Sequence, residues 1–143
     1  MSETLIEKLS KRECVTVLDK DNLKTVIDKL NEYNIGALPV LNKNNVLVGV
    51  ISERDIIHLI SKNSEVLILN KKVESCMTKS IISCGKNTRA DELMELMTKY
   101  KIRHIPIVIK NNLVGIISIG DVVKRLLEKY KSETLMLREY ISL

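Results

Sequence analysis

The sequence predicts a mixed α/β (α+β) fold: two β-α-β-β-α repeats related by a pseudo-twofold axis, their sheets facing a central cleft. Three observations carry that prediction. Residues 34–40, NIGALPV, answer to residues 101–107, KIRHIPI, and residues 47–56, LVGVISERDI, answer to residues 113–122, LVGIISIGDV. The offset is 67 residues in the first pair and 66 in the second, so one residue is lost in the turn between them. Finally, a lone repeat of about 60 residues buries only roughly 60% of its extended-chain surface, so two copies packed together are expected to share a core.

Each element follows from local pattern. A first strand is expected over 14–18 and again over 80–84. Leu23, Val26, Ile27 and Leu30, and then Ala90, Leu93, Met94 and Met97, recur at helical spacing. Thr88 and Asp91 have the spacing of a capping box at the start of the second of these helices. Two short apolar runs follow, 38–41 and 46–51, joined by Asn42-Lys43-Asn44-Asn45; Lys110-Asn111-Asn112 is the matching turn in the second copy. Asn tolerates positive φ, which hairpin turns require. A second helix is expected from Glu53 or Asp55 to about Ile60, and from Asp121 to about Tyr130. The organisation is then residues 1–66, residues 67–130, and a helical tail over 131–143 bearing Leu135, Leu137, Tyr140 and Ile141.

Composition limits the function classes. The net charge is +5, but the positive residues are dispersed, and only four Tyr, with no Phe or Trp, are available to stack on bases. Nucleic-acid binding is therefore not expected, although the field favours small anions. Cys14, Cys76 and Cys84 form no CxxC, and His58 and His104 give no zinc spacing. Reduced thiols in a cytoplasmic protein are the expectation, with no signal peptide and no apolar run long enough for a membrane. No GxSxG, HExxH, Walker-type or GxGxxG motif is present, so no enzyme is expected.

The chemistry concentrates in a doubled motif, Gly49-Val50-Ile51-Ser52-Glu53-Arg54-Asp55 and Gly115-Ile116-Ile117-Ser118-Ile119-Gly120-Asp121, placed where a strand enters a helix. One reading is structural: Ser at the N-cap and Asp three residues on satisfy free N–H groups. The other is functional: a helix N-terminus and a hydroxyl suit a phosphate, and a carboxylate offers acceptors to ribose hydroxyls. Arg103-His104, just before Pro106, adds a guanidinium fork and an imidazole expected beside the same cleft.

With these residues in view, the chain resembles a tandem CBS-domain pair, or Bateman module, over about residues 5–130. The resemblance rests on the doubled motif, the Pro39 and Pro106 strands, and Val73-Glu74-Ser75-Cys76-Met77-Thr78 opening the second copy. The stretches Ile102 to Pro106 and Ser118 to Val123 are similar, more narrowly, to stand-alone single-pair members of proteobacteria and plant organelles. The resemblance implies a regulatory module that binds AMP, ADP or ATP, with NAD or S-adenosylmethionine as further ligands, and pairs into a homodimer. By position, Asp121 is expected to hold the ribose, Ser118 the phosphate side, and Arg103 with His104 the phosphates. Ile82, Ser83 and Ile105 would line the adenine slot beside Pro106. In the first copy Ser52 and Asp55 match, with Thr16 and Val17 along the slot and Arg54 as the candidate cation. The second site is therefore expected to hold phosphate more strongly. The output would pass to a separate, unidentified protein. A ligand-free dimerising scaffold is the alternative.

Overall fold

The computed structural model describes residues 3–62 and 66–142. The elements run α1 (Leu5–Ser10), β1 (Val17–Leu18), α2 (Leu23–Tyr33), β2 (Ala37–Leu41), β3 (Leu47–Ser52) and α3 (Glu53–Lys62). Two 3₁₀ turns, Val66–Asn70 and Val73–Ser75, lead to α4 (Ala90–Tyr100), β4 (His104–Ile109), β5 (Asn112–Ser118) and α5 (Ile119–Ser142). In the first repeat β1 runs parallel to β2, and β2 pairs antiparallel with β3. In the second, β4 and β5 form the hairpin.

The hairpin turns follow from their residues. Lys110 and Asn111 both take positive φ, 52° and 64°, making the tight turn between β4 and β5. In the first repeat the Asn42 side chain accepts from the N–H groups of Asn44 and Val46. Helices α2 and α4 end on left-handed residues at matching positions, Asn34 and Lys101, each turning the chain into the strand that follows.

Several expectations change. The strand expected over 14–18 shortens to β1. The one expected over 80–84 contracts to a single parallel bridge between Cys84 and Ile107, because Ser80 and Ser83 are exposed and only the Cys84 side chain turns into the core. The Thr88–Asp91 capping box does not form. Thr88 Oγ1 instead accepts from Gly85 N at 3.0 Å, and α4 starts one residue later with Arg89 at its N-cap and no side-chain cap. The segment expected as a helical tail is helical through Ser142 and continuous with the preceding helix: α5 is one helix of 24 residues, and its part beyond residue 130 is exposed. Leu143 lies outside the described residues.

Burial resolves into two clusters rather than one shared core. The first holds Val17, Leu38, Val40 and Ile51 of the sheet with Leu23, Val26, Ile56, Ile68 and Val73. The second holds Cys84, Leu93, Met97, Ile105, Ile107, Ile117 and Val122 together with Leu5, Ile6 and Leu9 of α1. The chain therefore crosses between repeats at both ends of the first unit. Helix α1 packs on the second core, while Ile68 and Val73 pack on the first. A backbone bridge between Val50 and Thr78 also ties β3 to the segment that leads into the second repeat.

Candidate functional site

Both copies of the motif fold as reciprocal caps. Ser52 donates to Asp55 Oδ2 from its backbone N (2.9 Å) and its hydroxyl (3.1 Å), and Asp55 N donates to Ser52 Oγ at 3.3 Å. Ser118 and Asp121 repeat the pattern at 2.9, 3.0 and 3.2 Å. The cap uses only Oδ2, so the structural and functional readings are compatible. It also limits the functional one: a single carboxylate oxygen, Oδ1, is left to face a ligand.

What meets that oxygen differs between the copies. Among the described residues, Asp55 Oδ1 receives only a long bond from Thr78 Oγ1, 3.4 Å. Asp121 is held by Arg12, whose NH1 donates to Oδ1 at 3.1 Å and whose NH2 donates to Oδ2 at 2.7 Å and to the carbonyl of Ile116 at 2.8 Å. Burial alone would push the Asp121 carboxyl up, but the bonds from Arg12 and Ser118 outweigh it and hold it below its ordinary value.

A cavity of about 190 Å³ opens beside Asp55 and is built from both repeats. The first supplies Gly36, Val50, Ser52, Glu53, Arg54 and Asp55; the second side supplies Thr78, Ser80, Ile81, Ile82, Lys101, Ile102, Arg103, His104 and Pro106. Its volume is below the ~300–1,000 Å³ of common ligand pockets, and one side opens to solvent at a rim. Arg54 and Arg103 are exposed at that rim, and neither guanidinium is in an ion pair among the described residues.

The half-buried His104 joins the two repeats. Its Cε1 lies 3.1 Å, and its Nε2 3.3 Å, from where a Cβ on Gly36 would stand, so the imidazole packs closely on Gly36 and any larger residue there would have to push it aside by a few tenths of an ångström. Burial lowers the His104 pKa, the charges of Glu53 and Asp121 oppose that, and Arg103 adds to it. The helix starts are tied to the same loops: Glu53 N donates to the Gly36 carbonyl at 2.9 Å and Ile119 N to the Arg103 carbonyl at 2.8 Å.

The structure thus groups the expected residues differently from the sequence reading. Arg103, His104, Pro106 and Ile82 share their cavity with Ser52, Arg54 and Asp55, not with Ser118 and Asp121. Ile105 and Val17 are core residues, because strand alternation turns each away from the cleft. Ser83 is exposed outside the cavity, and the half-buried Thr16 gives its carbonyl to Lys29 Nζ at 2.7 Å. Thr78, Lys101, Glu53 and Arg12 are not among the ligand contacts expected from sequence, although Glu53 lies within the motif and Thr78 ends the segment that opens the second copy. The repeat offset places the first three near the motif, but only the path of α1 brings Arg12 there.

Fold and cleft together define a module of two repeats with a cavity built from both. The CBS domain pattern matches residues 6–62 and 73–128, and the chain belongs to the CBS domain family. It is 32% identical over 115 residues to the inosine-5'-monophosphate dehydrogenase of Methanocaldococcus jannaschii; this covers 80% of the chain but only 22% of that enzyme's length. Among solved structures it resembles the CBS-domain containing protein ATU1752 from Agrobacterium tumefaciens, with TM-score 0.78, 35% identity, and coverage of 84% of this chain and 88% of that one. It also resembles the CBS domain pair of protein MJ0100 in complex with 5-methylthioadenosine and S-adenosyl-L-methionine, with TM-score 0.77, 25% identity, and coverage of 88% and 98%. CBS-domain pairs are generally regulatory modules.

Proposed function

We propose that this chain is a non-catalytic sensor that binds an adenosine-containing nucleotide in the Asp55 cleft and modulates a separate partner protein. AMP, ADP and ATP are the first candidates, with NAD and S-adenosylmethionine next. The observation that carries the reading is the division of labour across the cleft. The first repeat offers the cap, the open Oδ1 of Asp55 and Arg54, while the second offers an aliphatic wall at Ile81 and Ile82 and the Arg103–His104 pair. Adenosine derivatives bound by the MJ0100 pair support the same ligand class.

Asp55 Oδ1 accepts from ribose hydroxyls, Ile82 and Pro106 flank the base, and Arg54 and Arg103 meet the phosphates. A ligand touching both repeats favours one relative arrangement of them, and it shifts the module only by its differential affinity for the two arrangements. Free Cys14, Cys76 and Cys84 fit a reducing, cytoplasmic setting. Burial pushes the Cys84 thiol up to about 11, which makes it inert. No helix among the described residues is long and apolar enough to cross a membrane.

A homodimer is part of the reading. Val123, Leu127, Tyr130, Leu137 and Ile141 are exposed along one seam of α5, at the heptad positions of helix pairs, with the polar Thr134 at the position between Tyr130 and Leu137. That seam equally favours the second reading, a dimerising scaffold without ligand. Calorimetric titration with AMP, ADP, ATP, NAD and S-adenosylmethionine separates the two. The sensor binds at least one of them below millimolar concentration; failure of all five leaves the scaffold.

A further inference from the structure

We infer that Arg12 occupies the second cleft from within, so that the chain takes one nucleotide, at Asp55, rather than two. This rests on the nucleotide reading above and adds the residue that selects between its two sites. The motifs are alike in sequence and in cap geometry, so a ligand that uses one has an equivalent carboxylate in the other. The difference lies in what precedes each repeat. Beside Asp55 stands Thr78, whose short side chain reaches Oδ1 only at 3.4 Å and leaves the cavity open. Beside Asp121 stands Arg12, whose fork takes both carboxylate oxygens and the Ile116 carbonyl.

Arg12 is held there by more than its own ion pair. Helix α1 is fixed by a Thr4–Glu7 capping box and by Leu5, Ile6 and Leu9 in the second core. Arg12 N donates to the Leu9 carbonyl at 3.4 Å, so the chain leaves the helix directly across β5. The Arg12 side chain keeps 47% of its exposure while Asp121 keeps 20%, as expected of a cover lying over an acid. A separate groove of about 140 Å³ between α1 and α5 also borders Arg12 and Asp121, but neither Thr16 nor Val17 lines it, so it is not the counterpart of the Asp55 cavity. A ribose at Asp121 must first displace a charge-assisted, two-pronged contact.

The test is calorimetric titration of AMP into the wild type, Arg12→Ala and the double variant Arg12→Ala/Asp55→Asn. Arg12 is half exposed and outside the cavity at Asp55, so its removal leaves that site intact. The expected stoichiometries are one, two and one per chain, the new site binding at least tenfold more tightly than any second site in the wild type. A single site of unchanged affinity in Arg12→Ala overturns the inference while leaving the nucleotide reading standing. Weaker binding in Arg12→Ala also overturns it, by making Arg12 a ligand contact. No binding by the wild type or either variant removes the nucleotide reading and this inference with it.

Discussion

Changing either motif glycine to alanine makes the same chemical change in two copies of one motif, yet the structure predicts a clear loss of stability in one copy and almost no change in the other. None of the glycines needs positive φ, so space alone decides. A Cβ on Gly49 would stand 2.5 Å from Met77 Sδ, 2.9 Å from Met77 Cγ and 3.0 Å from the Thr78 carbonyl. The Met77 side chain can swing away, but it packs against the first core. The carbonyl cannot, since Thr78 exchanges backbone bonds of 3.0 and 2.9 Å with Val50. Overpacking of this kind costs about 1–3 kcal/mol. A Cβ on Gly115 meets only Ile107 Cδ1 at 3.3 Å and the Leu9 carbonyl at 3.5 Å. There the stiffening of the unfolded chain, about 0.4–1 kcal/mol in favour of folding, offsets a small adjustment, and the net change is near zero. Urea unfolding followed by circular dichroism measures both. Gly49→Ala is expected to be the less stable by about 1–3 kcal/mol and to bind nucleotide more weakly, because Thr78 lines the cavity. Equal stabilities, or a larger loss in Gly115→Ala, would refute the reasoning.

Two further predictions concern titration and assembly. His104 has a lowered pKa in the fold, so the unfolded chain binds the proton more readily. This contribution to stability is complete above the ordinary value of 6.5 and is lost as pH falls from there through the folded value. His104→Asn flattens that part of the stability–pH curve, and an unchanged slope below pH 6.5 would count against the burial of the imidazole. Leu127→Asp puts a charge at the centre of the exposed α5 seam and is expected to shift the protein from dimer to monomer in light scattering, with its unfolding curve nearly unchanged. A monomeric wild type, or a dimer that survives the substitution, would contradict the assembly.

Much of the fold is legible because periodicity and duplication report on burial. The i, i+3, i+4 patterns of α2 and α4, the paired strands around Pro39 and Pro106, and the Ser–Asp caps all stand where the residues place them. The misses arise where distant partners decide. Thr88 has the spacing of a helix cap, but the Gly85 N–H is the donor its hydroxyl satisfies. Leu5, Ile6 and Leu9 carry no sign of which repeat will bury them, and they join the second core. The motif residues of the site were recognisable, but their pairing was not. Arg103 and His104 lie close in sequence to Asp121, yet the packing of the repeats opens their cavity toward Asp55, and the path of α1 places Arg12 over Asp121.

Whether a nucleotide bridges the repeats at Asp55 is decided by AMP titration of Asp55→Asn beside the wild type. The asparagine amide oxygen can keep the bonds from Ser52 N and Oγ that now reach Oδ2, so the helix cap survives. The atom facing the cleft becomes an NH₂ donor that cannot accept a ribose hydroxyl. Asp55→Asn is expected to fold and to lose at least tenfold in affinity for AMP, about 1.4 kcal/mol, while Asp121→Asn binds like the wild type. Undiminished binding by Asp55→Asn, or loss of binding in Asp121→Asn alone, would contradict binding at Asp55.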